Sequence, residues 1–148
     1  MNNDKYTEAL ALIEKVGMFF EKSGYIPSAA RVYALLMIWE KPELHFDEIQ
    51  TLLNLSKGAT SKAVNDLITK ERIELISKPG VRKKFYKVMR KPGEDSTKSF
   101  IKYLIAMKLQ LEAIEVHKDR YGDTQVRFGD EISYFARLIN MFDSMIEE

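Results

Sequence analysis

The sequence predicts a mostly helical chain with one small β-hairpin, and three observations carry that fold class. Apolar residues recur at three-and-four spacing through residues 46–68: Ile49, Leu52 and Leu53, then Ala63, Val64, Leu67 and Ile68. That is the period of helices resting on a core. Residues 73–77 and 83–89 then read as strands around the turn Lys78-Pro79-Gly80-Val81-Arg82, a hairpin with its turn residues in place. Cations crowd the same segment. Residues 57–91 hold 11 Lys or Arg against 3 Asp or Glu, leaving 12 basic and 19 acidic residues elsewhere in a chain of net charge +1. Helix, turn, helix and basic hairpin make a winged helix-turn-helix pattern, here flanked by helical extensions at both ends.

The elements follow in order. Residues 6–23 form a helix on Ala9, Ile13, Val16 and Phe20, ended by Gly24, the residue that best adopts a left-handed C-terminal cap. Pro27 opens the next helix at a first turn whose N–H is unused in any case, and Val32, Leu35, Leu36 and Trp39 continue its apolar face until Pro42. His45, three residues before Glu48, sits as an N-terminal cap rather than a metal ligand, because no second ligand lies nearby. Ser56 is the natural cap of the second short helix, its hydroxyl accepting a free backbone N–H. After a break at residues 90–96, where Asp95 or Ser96 is expected to cap, residues 97–118 carry the stripe Phe100, Leu104, Met107, Leu111 and Ile114. Tyr121-Gly122-Asp123 turns the chain, and the last helix carries Phe128, Ile132, Phe135, Ile139, Phe142 and Ile146.

Composition bounds the function. With 148 residues and 45% hydrophobic content the chain makes one domain with extensions, and disorder is not expected. The absence of cysteine removes disulfides and thiol chemistry. No signal peptide and no membrane-length apolar run are visible, so a cytoplasmic protein without a membrane partner is expected. Two histidines, no Gly-rich phosphate loop and no metal-ligand pairing argue against an enzyme, and no cofactor is expected. His117 reads as a solvated residue at a helix end. The wide apolar band of the last helix needs a large covering surface. A second copy supplies it, with the first helix (Ile13, Phe20) and the last two forming a two-fold bundle, so a homodimer is expected.

The outward face of the second short helix begins Lys57, Ala59, Thr60, Ser61, Lys62 and Asn65. Small, hydrogen-bonding and cationic side chains suit a helix that enters the major groove of double-stranded DNA. A winged helix that binds protein instead would leave Arg82, Lys83 and Lys84 beside Lys57 and Lys62 without a purpose. RNA binding would want stacking aromatics beside the basic patch, and strand alternation turns one of Phe85 and Tyr86 inward.

With Gly24-Tyr25-Ile26-Pro27, Ala30-Arg31-Val32-Tyr33, Phe46-Asp47-Glu48-Ile49, Leu55-Ser56-Lys57-Gly58 and Pro79-Gly80-Val81-Arg82-Lys83, the chain resembles the multiple-antibiotic-resistance-regulator (MarR) superfamily over nearly its whole length. More narrowly it resembles the GbsR-like branch, which includes regulators of choline and glycine betaine metabolism. The resemblance implies a prokaryotic transcription factor, dimeric through its terminal helices. Residues 1–24 and 92–148 would be dimerisation regions and residues 25–91 the DNA-binding domain. It places Ser56, Lys57, Thr60, Ser61, Lys62 and Asn65 at the major groove or its phosphates. Asn65 suits adenine, Lys57 and Lys62 suit phosphate or guanine, and Thr60 a thymine methyl. Arg82 would enter the minor groove, while Lys78, Lys83 and Lys84 grip the backbone. Family wings often carry an acidic residue before that arginine; here it is Val81. A small-molecule effector is left open. Phe20, Tyr25, Tyr33, Trp39, Tyr103 and Tyr134 could line a cage for a quaternary amine, but aromatics at helical spacing are more often core, and no ligand residue is assigned.

Overall fold

A computed structural model of the chain describes residues 2–90 and 93–147. Its elements run α1 (Asn3–Lys22), α2 (Pro27–Ile38), β1 (Leu44–His45), α3 (Phe46–Leu53), α4 (Lys57–Thr69), β2 (Ile73–Ser77), β3 (Lys84–Val88), α5 (Gly93–Arg120) and α6 (Gly129–Glu147). The chain divides into two compact units, residues 1–90 and 91–148. The expected domain limit at residues 91 and 92 falls on Lys91 and Pro92, which lie outside the described residues.

In the first unit each helix end has a local cause. The N–H of Tyr25 donates to Phe20 O at 3.1 Å and that of Gly24 to Glu21 O at 3.0 Å. Gly24 has φ +103°, so this is a Schellman cap, and its apolar contact is the Phe20–Tyr25 ring pair at 5.5 Å. Pro27 occupies the first turn of α2. Asn54, at φ 51°, ends α3 in the left-handed region that Asn tolerates better than most residues.

α2 is the scaffold. Its Val32 and Leu35 are fully buried with Leu44, Ile49, Leu67 and Ile73 in one core. Removing one such Leu side chain costs about 2–5 kcal/mol. α1 lies along α2 rather than apart from it, and the contact is a clasp over Gly17. A Cβ built on Gly17 would stand 2.3 Å from Arg31 Cδ. Arg31 reaches across to donate to Glu14 through Nε at 3.1 Å and Nη2 at 2.8 Å. Its Nη1 lies 2.9 Å from Glu21 Oε2, although not aligned as a hydrogen bond.

The expected two-stranded hairpin is a three-stranded antiparallel sheet of order β1-β3-β2. β2 pairs with β3 from Ile73↔Val88 to Ser77↔Lys84, and β1 adds Leu44↔Tyr86 and His45↔Phe85. A two-residue strand has no period to read in a sequence, which is why it was not foreseen. Tyr86 points into the core and is 6% exposed.

The second unit is a helical hairpin of α5 and α6. Helix α5 begins at Gly93, so Asp95 and Ser96 lie within its first turn and are not caps. Its buried residues are Ile101, Leu104 and Leu111, whereas Phe100, Met107 and Ile114 of the expected stripe stay 37–44% exposed. The turn between the helices is braced by Arg127, which donates to Glu115 Oε2 at 2.7 Å and to Asp119. Glu115 also accepts from the Phe128 N–H at 2.7 Å. Phe128, Ile132, Phe135, Ile139, Phe142 and Ile146 are half-buried and no residue of α6 is fully buried. No helix among the described residues is long and apolar enough to cross a membrane.

Candidate nucleic-acid interface

Helix α4 is held by both ends. Ser56 Oγ accepts the Ala59 N–H at 3.0 Å, the cap expected from sequence. At the other end the Arg72 N–H donates to Leu67 O, and Glu71, at φ 56°, turns the chain into β2. Ala63, Val64 and Leu67 face the core, leaving Lys57, Lys62 and Asn65 exposed and Ser61 half-buried. Thr60 requires a correction. It is 0% exposed, and its hydroxyl donates to Ser56 O at 2.9 Å. A small side chain one turn from the cap fits against the core and satisfies its hydroxyl locally, so Thr60 cannot meet a base while α4 keeps this packing.

The wing tip is a type II turn. Pro79 is its second residue, Gly80 takes φ +73°, and Val81 N–H donates to Lys78 O at 3.1 Å. Eight cations of the segment fall into two groups. Lys70 pairs with Asp66 at 3.1 Å, Lys87 with its cross-strand partner Glu74 at 3.2 Å, and Lys78 with Glu43 at 2.8 Å. Lys78 also lies 4.2 Å from the Phe85 ring centroid, so this expected phosphate ligand is spent in part on holding the wing. Lys57, Lys62, Arg82, Lys83 and Lys84 are exposed and have no ion-pair partner among the described residues. A free cation keeps its full attraction for an anion, whereas a paired one must first give up its carboxylate.

The wing and the helices are tied through His45. Its Nδ1 accepts the Glu48 N–H at 3.3 Å while Glu48 Oε1 accepts the His45 N–H at 3.4 Å, a complete capping box. Burial pushes the Glu48 carboxyl up, but Lys41 at 3.1 Å and His45 together hold it below the usual carboxylate value. The His45 ring meets the edge of Phe85 at 5.9 Å. Among the described residues no group of three or more His, Asp or Glu side chains could hold a metal ion.

Two further expectations change. Ile13, expected at a dimer interface, is 2% exposed and belongs to the core of its own chain, because α2 lies against that side of α1. Phe20 is half-buried and stacks on Tyr33 at 4.8 Å. The exposed side of α1 carries Leu12 at 46% and Phe19 at 65% instead. Of the aromatics considered as a cage, Phe20, Tyr25 and Tyr33 do gather, but Trp39 pairs with Tyr6 at 5.6 Å. The gathered rings are edged by cations. Lys70 Nζ lies 4.8 Å from the Tyr25 ring centroid and Arg72 Nε donates to Tyr25 Oη at 2.8 Å. That charge is wrong for a cationic guest. The Arg72–Tyr25 contact spans 47 positions and left no local signal in the sequence.

Comparison with known proteins gives the fold. No family model and no curated protein matches the chain. Among solved structures, the crystal structure of a transcriptional regulator aligns with a TM-score of 0.71 at 18% identity, over 95% of this chain and 96% of that one. The adhesin competence repressor AdcR from Streptococcus pyogenes aligns over 100% of both chains with a TM-score of only 0.41 at 12% identity, too loose to bear on the fold. The chain thus has a winged helix-turn-helix fold with helical extensions, shared with a solved transcriptional regulator.

Proposed function

We propose that the chain is a DNA-binding transcriptional regulator of the MarR superfamily, in its GbsR-like branch, acting in the cytoplasm as a homodimeric repressor and not as an enzyme. The observation that carries this reading is the set of cations on α4 and the wing tip without an ion-pair partner among the described residues, in a segment where Lys70, Lys78 and Lys87 are internally paired. Helix α4 enters the major groove. Asn65 and Ser61 read base edges, Asn65 pairing with adenine, and Lys57, Lys62 and the N-terminal turn at Ser56 hold phosphates. Arg82 reaches the minor groove, with Lys83 and Lys84 on the flanking backbone and Lys78 as a brace that stiffens the wing. The likeness to a transcriptional regulator supports the assignment.

The second copy covers the exposed side of α1 at Leu12 and Phe19 and the apolar band of α6, whose Tyr134, Met141 and Met145 are 52–60% exposed. Apolar surface of this extent is seldom left to water. Two-fold symmetry sets two reading helices about one turn of duplex (~34 Å) apart, matching a palindromic operator.

Selection of bound sequences from random duplex pools, over a range of salt, tests the reading. The expected result is an enriched palindrome bound with a steep salt dependence that becomes shallower in Arg82→Ala. No enrichment, or binding indifferent to salt and to Arg82→Ala, would refute operator binding and leave a protein-interaction module in its place.

A further inference from the structure

We infer that Glu43 is a positioning residue for DNA binding: through Lys78 it fixes the aim of the wing tip from which Arg82 is presented. The inference rests on the operator-binding reading and adds to it an acidic residue that acts without touching DNA.

The ladder of the wing ends below its tip. The last rung is Ser77↔Lys84, and beyond it the turn is closed by the Val81 N–H donating to Lys78 O at 3.1 Å. That bond shapes the turn but does not aim it, because a two-stranded ribbon twists readily about its own axis. The aim comes from the Lys78 side chain. Its Nζ lies 2.8 Å from Glu43 Oε2 and 4.2 Å from the Phe85 ring centroid. Among the described residues, the Glu43–Lys78 pair is the one ion pair or hydrogen bond that ties residues 78–83 to anything outside the wing. Glu43 stands immediately before β1, where Leu44 is fully buried and His45 caps α3. The carboxylate is therefore mounted on the core and on the helix-turn-helix, and it reaches the wing from outside. Phe85, under the Lys78 ammonium, also meets the His45 ring at 5.9 Å.

The sign of the effect separates two roles. By charge alone, a carboxylate beside a wing lysine cancels part of its attraction for phosphate, and removing it should tighten DNA binding. A brace acts the other way. Without Glu43 the tip loses its fixed aim, and Arg82 has to be ordered anew in each complex, a cost that preorganisation removes. The side chains of Glu43 and Lys78 are 27% and 44% exposed, so the pair adds little to the stability of the whole chain. What it limits is the motion of a tip with no second tie.

The test is a double-mutant cycle of Glu43→Gln and Lys78→Gln. It is read by affinity for the duplex enriched from random pools and by NMR order parameters of residues 80–83 in the free protein. Glu43→Gln is expected to weaken binding about two- to fivefold, the range of one partly exposed ion pair, although it removes a negative charge. Lys78→Gln should do the same, and the double variant should lose no more than the worse single, because the pair acts as a unit. The order parameters should fall in all three variants while the melting midpoint holds. The base preference lost should lie under the wing, with the position read by Asn65 unchanged, which a general loosening of the fold would not spare. Tighter or unchanged binding by Glu43→Gln, additive losses in the double variant, or a tip equally ordered without Glu43 would overturn the inference. A parent that binds no duplex overturns it together with the operator reading. Binding that falls in Arg82→Ala but not in Glu43→Gln overturns it alone.

Discussion

Replacing Gly17 by alanine should destabilise this protein, against the usual rule for a helix interior. Glycine in the middle of a helix costs about 0.5–1 kcal/mol relative to alanine, so the substitution alone ought to help. Here the new methyl would stand 2.3 Å from Arg31 Cδ and 2.8 Å from Nε, distances that no side chain accepts. Arg31 must swing away and release Glu14 and Glu21. Its side chain is 18% exposed, against 63% and 32% for the two carboxylates. Partly exposed pairs of this kind contribute about 0.2–1 kcal/mol each, and forcing Arg31 off its rotamer adds about 0.5–1.5 kcal/mol. The net expectation is a loss of about 1 kcal/mol, or about 2–4 °C in the midpoint of a thermal melt followed at 222 nm. The decisive arm is the double-mutant cycle. In an Arg31→Ala background the obstacle is gone, and Gly17→Ala should raise the midpoint. Stabilisation by Gly17→Ala in the parent chain, or equal destabilisation in both backgrounds, would refute the clasp.

Four other outcomes follow from the geometry. Ser56→Ala removes the cap of α4 and should cost about 1 kcal/mol in a denaturant titration, whereas Ser56→Asp should retain most of it. Thr60→Val loses one internal hydrogen bond, about 0.5–1.5 kcal/mol, yet should leave the selected operator sequence unchanged, while Asn65→Ala should relax the choice at one base pair. The Arg31 hydrogen bond holds the Glu14 carboxyl below its ordinary value of 4.5, partial burial opposing and the Arg31 charge assisting. Stability from this pair is then full above 4.5 and lost as pH falls through the lowered value, so the Arg31→Gln melting point should drop less than the parent's between pH 5 and pH 3. Glu115 is lowered chiefly by its hydrogen bond from Arg127, and Arg127→Gln should speed amide hydrogen exchange through residues 121–128 without altering the first unit.

The sequence exposed whatever had a local signature. The Ser56 cap, the His45–Glu48 box, the Pro79-Gly80 turn and the Gly24 helix end all depend on residues within a few positions of one another, and all were readable. The apolar period located α2 to α4 because one face of each meets a single core. The errors arose where side or partner had to be chosen at long range. Ile13 belongs to a real stripe, but it is buried in the core of its own chain, where Phe20 of the same stripe packs while staying half-exposed. Thr60 looked polar enough for a groove, yet its hydroxyl closes on its own helix. β1 was invisible because its two residues acquire meaning only opposite Tyr86 and Phe85. The sorting of lysines into paired and free also depended on carboxylates far along the chain, such as Glu43 against Lys78.

No linker separates β1 from α3. His45 closes the ladder opposite Phe85 and is at the same time the N-cap of the next helix, so a single residue is both the last rung and the first cap. Such a junction has no slack for a change of length. One inserted residue would either turn Leu44 off the core face, since strand neighbours point to opposite sides, or carry the imidazole away from the Glu48 N–H. Chains that keep this wing should therefore hold the spacing from Leu44 to Glu48 constant.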